Sequence, residues 1–308
     1  MTYLTKEDWS KYLLPKISDD KSFQDELVHS KKIHNIILQI IYQIFPKPKP
    51  TQNKLIQILL FSSIIYYNKY TLINDIKHKD LSKFDQIIIC TSCLFLSFKA
   101  LNKPIEIKFL SSKIKPCLMK LNNNKSLDID VEEINDKIKE KEFDILLSIQ
   151  FNANIDTPYD YLRTIKLYLL QKCQKDDNNK NNSNNIDVSK IITKLNEYIQ
   201  HCMLFPLYLY YTSYEIILGC LLLIKKESNF NFINFDELIN SKHIDINIDM
   251  DNINQCALYI RKLSYKIIEA SKIIIEEKNK KESDNKKCGA NLNFDILSII
   301  KTNAMQFK

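Results

Sequence analysis

The sequence predicts an all-α fold, and three observations carry that reading. Only two glycines, Gly219 and Gly289, occur in 308 residues, too few for the tight turns of a sheet-rich chain. No stretch alternates apolar and polar residues convincingly over the length of a strand. Instead, apolar residues recur at helical spacing, as in Leu27, Ile33, Ile36, Ile37, Ile40, Ile41 and Ile44.

In chain order, the opening Tyr3-Leu4-Thr5-Lys6-Glu7-Asp8-Trp9 suggests a short helix capped by Thr5 and anchored by Trp9. A helix is expected from 23 to 45, where Pro46, Pro48 and Pro50 stop it. A second helix covers 52 to 67, and residues 68 to 80 form a polar connection. The stretch 84 to 104, FDQIIICTSCLFLSFKALNKP, follows. It is apolar on nearly every side, so it must be enclosed by protein. It is shorter than the roughly 20 residues needed to cross a bilayer. Its small residues Cys90, Thr91, Ser92, Cys93 and Ser97 let neighbouring helices approach closely, and Lys99 emerges where the apolar run ends. Pro104 introduces a helix from about 105 to 120 with Ile107, Leu110, Ile114 and Leu118 on one face. A fifth helix, 130 to 150, begins charged and ends apolar.

Pro158 begins the next helix, interrupted by an Asn-rich segment, about 175 to 187, whose composition cannot bury apolar area and predicts disorder. Further helices are expected at 188 to 204, 211 to 226, 233 to 241 and 249 to 280. A short repeat relates Cys93-Leu-Phe-Leu-Ser-Phe-Lys99 to Cys220-Leu-Leu-Leu-Ile-Lys-Lys226. In the tail, 279 to 308, a polar stretch precedes Phe294, Leu297, Ile300, Ala304 and Phe307 near one helical face. That spacing predicts a docked or frayed C-terminal helix, with a partner-binding helix as the alternative.

Composition then narrows the function. Two glycines cannot build a P-loop, a dinucleotide fingerprint or a kinase glycine-rich loop. The net charge is +7, yet only Arg163 and Arg261 are arginines. That disfavours nucleic acid, whose recognition relies on arginine's planar fork. The eight cysteines lack a framework spacing, and the Cys90/Cys93 pair has no second pair or histidine cluster, so reduced core thiols are expected and no metal. The five histidines have no nucleophile at a recognisable elbow, so no catalytic residue is assigned. No cofactor is implied. An N-terminus without an apolar h-region predicts a protein that stays inside the cell.

Two successive sets of five helices, each with a buried third helix, together with CLFLSFKALNKP, Glu142 nine residues before Phe151, and Ile155-Asp156-Thr157-Pro158-Tyr159, resemble the cyclin family. The resemblance implies an N-terminal extension at 1–22, a first cyclin box at 23–152, a second at 157–278 and a tail at 279–308. The linker and the opening Tyr3-Leu4-Thr5-Lys6-Glu7-Asp8 are most similar to the transcriptional cyclins of the T, K and L types.

The resemblance also implies a non-catalytic subunit that binds and activates a cyclin-dependent kinase as a heterodimer, in the nucleus, with the cytoplasm as a further location left open. The kinase would be a transcriptional one acting on the C-terminal domain of RNA polymerase II. Lys99 and Glu142 would pair at the kinase interface, with Phe98, Leu146, Phe151 and Ala153 as further contacts. Ala153 stands where the family usually has leucine. Leu101 and Asn102 replace the usual acidic pair. Two other functions stay open: DNA binding in the manner of the IIB-type transcription factors, and a helical scaffold without a kinase. The former expects an N-terminal zinc ribbon, and the first 80 residues contain no cysteine.

Overall fold

A computed structural model describes residues 19–77, 80–120, 130–177, 187–228, 233–240 and 249–284. The expected N-terminal helix with Trp9, residues 178–186 of the Asn-rich insertion, and the C-terminal helix lie outside the described residues. Among those described there is no β-strand. No described helix is long and apolar enough to cross a membrane.

The structure divides into two compact units. The first comprises the described residues of Met1–Asp160 together with Met203–Ser213. Its helix α1 runs Asp20–Ile44 and begins where the Asp19 carboxylate accepts from the Ser22 amide at 2.9 Å. A 3-10 turn at Pro50–Gln52, held by the Lys49 amide donating to Gln52 Oε1 at 2.8 Å, leads into α2, Asn53–Ile73. The polar connection expected from residue 68 therefore begins later. Tyr70 and Thr71 are buried on α2, and Asn68 donates to the Tyr208 hydroxyl, so these residues sustain the helix despite their polarity.

The third helix, α3 (Lys83–Ala100), starts at Ser82, whose hydroxyl accepts from the Asp85 amide at 3.0 Å. It is the centre of this unit and is buried from Gln86 through Phe98. The small residues act as the sequence suggests. Ser97 Oγ meets Ser63 Oγ of α2 at 3.0 Å. Ser92 Oγ donates to the Ile138 carbonyl of α5 (Val131–Ser148) at 3.1 Å. Between them in sequence, α4 (Ile107–Lys120) contributes Leu110, Ile114 and Leu118 to the core. Ser111 of α4 donates to Asn135 of α5 at 2.6 Å. Each fully buried Ile, Leu or Phe in this core is worth about 1.5–3 kcal/mol.

One histidine gives this unit a pH-dependent stability. His34 Nδ1 on α1 is cut off from water and has no hydrogen-bond partner. Burial pulls the imidazole from 6.5 down to about 4. The unfolded chain takes up a proton near 6.5 while the folded one stays neutral, so the unfolded state binds more protons between those values. Stability present above pH 6.5 should be lost as pH falls toward about 4, by on the order of 1–3 kcal/mol. Denaturant titrations across that window should show the loss, and His34→Leu should flatten it.

The second unit comprises the described residues of Tyr161–Cys202 and Tyr214–Lys308. It draws on α6 (Pro158–Asp177), α7 (Val188–Leu204), α8 (Ser213–Ser228), α9 (Phe235–Asn240) and α10 (Met250–Asp284). A Cβ at Gly219 of α8 would meet the Ala257 amide nitrogen of α10 at 3.2 Å and Cys256 Sγ at 3.3 Å, so a glycine there lets the two helices approach closely. Tyr198 of α7 donates to Glu227 of α8 at 2.7 Å, and His201 of α7 meets Ser264 of α10 at 2.9 Å. Cys90, Cys93, Cys202, Cys220 and Cys256 are buried thiols outside any disulfide, and burial raises the pKa of Cys90, Cys93, Cys220 and Cys256.

Candidate protein-binding site

At the solvent end of α3 the chain needs a stop, and it takes one without glycine. Asn102 adopts φ 53°, and the Lys103 amide closes back on the Phe98 carbonyl at 2.9 Å. Lys99 sits in this last turn. Its ammonium lies 4.2 Å from the centroid of the Phe95 ring, one helical turn earlier.

The lysine's carboxylate partner comes from α5, forty-three positions later. Lys99 Nζ lies 2.8 Å from Glu142 Oε1 and 2.9 Å from Oε2, so it engages both carboxylate oxygens. The two ends of this pair differ in exposure: the Lys99 side chain is 46% exposed and that of Glu142 9%. The ammonium thus keeps hydrogens directed at solvent, and the carboxylate that orients it is held inside. Lys141, beside Glu142, ties α5 to α2 by donating to the Tyr70 hydroxyl at 3.2 Å, and it also donates to Asp144 on its own helix at 2.7 Å. Burial pulls the Lys141 amine down, but Asp144 and Tyr70 outweigh it and leave the pKa above its usual value.

An apolar arc borders the pair. Glu142, Phe143, Leu146 and Leu147 follow one another around α5 at helical spacing. Phe143 is 54% exposed, Leu147 43% and Phe151 59%. The Phe143 and Phe151 rings stand edge to face with centroids 6.3 Å apart. Such a contiguous exposed cluster marks an interaction surface more often than a solvated face.

Phe151 is placed by strained backbone. After α5 the Ile149 amide closes on Ile145 at 3.0 Å, Gln150 on Leu147 at 3.1 Å and Phe151 on Leu146 at 2.8 Å. Gln150 and Phe151 both take positive φ, 56° and 58°, which costs roughly 1–2 kcal/mol per non-glycine residue. The turn is fixed from below by Tyr66, whose buried ring sends its hydroxyl to the Ala153 carbonyl at 2.6 Å. Phe151→Gly should therefore stabilise the free chain by about 0.5–1 kcal/mol in denaturant titrations while weakening partner capture on the same protein.

Lys99 and Glu142 are thus brought into direct contact, with Leu146 half-buried and Phe151 exposed beside them. Ala153 lies half-buried in the same turn, offering one methyl group. Phe98 is placed elsewhere: it is buried and stacks on Phe45 with centroids 6.3 Å apart, so its ring belongs to the core. Phe143, Leu147 and Phe95 were not singled out from the sequence. A signal existed in EFDILLSIQF, which carries more apolar residues than the buried face of α5, Ile134, Ile138 and Ile145, requires.

In the second unit Lys225, beside the Lys226 counterpart of Lys99, donates to the Ile233 carbonyl at 2.6 Å. Among the described residues no group of three or more His, Cys, Asp and Glu side chains could hold a metal ion.

No family model matches the chain, and no curated protein matches it by sequence. Among solved structures it is similar to a chain of the yeast TFIIK (Kin28/Ccl1/Tfb3) complex, at 16% identity and a TM-score of 0.48, covering 83% of this chain and 94% of that one. It is also similar to a chain of the CAK complex from Chaetomium thermophilum bound to ATP-gamma-S, at 10% identity and a TM-score of 0.47, covering 89% of this chain and 83% of that one.

Proposed function

We propose that this chain is a cyclin-type regulatory subunit that binds a cyclin-dependent kinase and activates it without chemistry of its own. The observation that carries the proposal is the Lys99–Glu142 pair at the exposed end of a buried helix, bordered by Phe143, Leu147 and Phe151. The two cyclin boxes are assigned to 23–152 and 157–278, and the subtype to the transcriptional T, K and L group. The kinase substrate would be the C-terminal domain of RNA polymerase II, and the working compartment the nucleus.

The mechanism is a population shift. A kinase whose regulatory helix swings freely does not hold its catalytic lysine, glutamate and magnesium together. A rigid surface that binds only the inward position of that helix moves the equilibrium by its differential affinity. The Lys99 ammonium supplies a fixed donor for backbone carbonyls at that helix. Its Glu142 partner sets the direction, and the aromatic arc supplies apolar contact area. With Ala153 in place of a larger residue, the contact beside Phe151 is thin, so the aromatic pair carries more of it.

Affinity purification from native cells tests this reading. A co-purifying protein kinase whose activity depends on the chain supports it. Retention of promoter DNA at moderate salt, with no kinase, would favour the IIB-type alternative and overturn it.

A further inference from the structure

Helix α10 leaves one side uncovered by any described element. Leu258 and Tyr265 are 63% and 65% exposed, and Ile268 and Ile273 are exposed with them. These residues lie within one broad face, interleaved with Lys262, Glu269 and Lys272. The face runs from Leu258 to Ile273, about 22 Å at 1.5 Å per residue. It belongs to neither the Lys99–Glu142 site nor the core of the second unit.

The chain itself contains a segment of matching length and pattern. Residues 294–307, FDILSIIKTNAMQF, place Leu297, Ile300, Ala304 and Phe307 at helical spacing, and as a helix would measure about 21 Å. From Ile273 the helix continues to Asp284, about 16 Å further along its axis. The nine residues 285–293, NKKCGANLN, are polar and contain Gly289. Extended, they reach about 30 Å, enough to turn and run back alongside that last stretch. A tether this short holds the segment near the face at an effective concentration of order millimolar, above what a separate partner ordinarily reaches.

We propose that residues 294–307 lie antiparallel along α10, with their apolar positions over Leu258, Tyr265, Ile268 and Ile273. The contact covers the exposed apolar stripe with the chain's own sequence and closes a helical hairpin at the C-terminal side of the second unit.

Hydrogen exchange on the full chain tests this, with the double variant Leu258→Asp/Tyr265→Asp beside it. Both substituted side chains are exposed, and a cooperative melting transition by circular dichroism establishes that the variant folds. The amides of 294–307 should exchange at least about tenfold slower than an unstructured chain, independently of protein concentration, and revert in the double variant. Unstructured rates in the unsubstituted chain overturn the proposal, as does protection that survives the double substitution. Protection that appears only at high protein concentration identifies a second copy as the occupant and also overturns it.

Discussion

Lys99→Glu or Glu142→Lys should abolish activation of the bound kinase while leaving the helical content unchanged. Each reversal puts two like charges within the 2.8–2.9 Å now spanned by the ion pair, and the Glu142 side lies almost wholly inside the protein. Removing one member of a buried, hydrogen-bonded charge pair at an interface costs about 2–5 kcal/mol, much of it from stranding the other charge. That corresponds to a loss in affinity of roughly 30- to 5,000-fold. The exchanged double variant, Lys99→Glu with Glu142→Lys, separates two explanations. It restores an internal ion pair, so stability should recover, but it presents a carboxylate where the partner met an ammonium. Kinase activation should stay lost; recovery of both would show that the pair serves the fold alone.

The largest stability effect is expected at Phe61. Its ring is fully buried and meets Tyr159 edge-on at 6.0 Å and Tyr208 at 5.4 Å between centroids. Three separate stretches of the first unit, α2, the start of α6 and the 3-10 turn Leu207–Leu209, therefore close around one side chain. Phe61→Ala removes that ring and leaves a cavity, at a cost of about 3–5 kcal/mol. Against a total domain stability of about 5–15 kcal/mol, this should lower the denaturation midpoint severely. Circular dichroism in a denaturant series measures it. A change below about 1 kcal/mol would mean that these segments do not depend on Phe61 for their packing.

The helices were legible because their signals are local. The prolines after Phe45 mark an end by fixed φ, and the all-round apolar character of 84–98 requires enclosure wherever it lies; the caps Asp19 and Ser82 were not singled out from the sequence. The end of α2 was not legible. Asn68, Lys69 and Thr71 read as connection, and only Tyr208, distant in sequence, supplies the partner that makes Asn68 a helix residue. The pairing of Lys99 with Glu142 came from a family resemblance, since nothing in the spacing of two charged residues forty-three apart predicts contact. The burial of Phe98 has a simple origin. Adjacent helical residues point about 100° apart, so a neighbour of an exposed lysine at the end of a core helix faces inward. The strained turn at Gln150 and Phe151 left no mark in composition, because neither residue type favours positive φ.

Hydroxyl-radical footprinting of the chain, alone and bound to the kinase that co-purifies with it, tests the central claim most directly. Oxidation of Phe143, Leu147 and Phe151 should drop several-fold in the complex, while exposed Ile73 of the same unit keeps its rate. Unchanged oxidation at all three residues, with protection appearing elsewhere on the chain, would contradict the account.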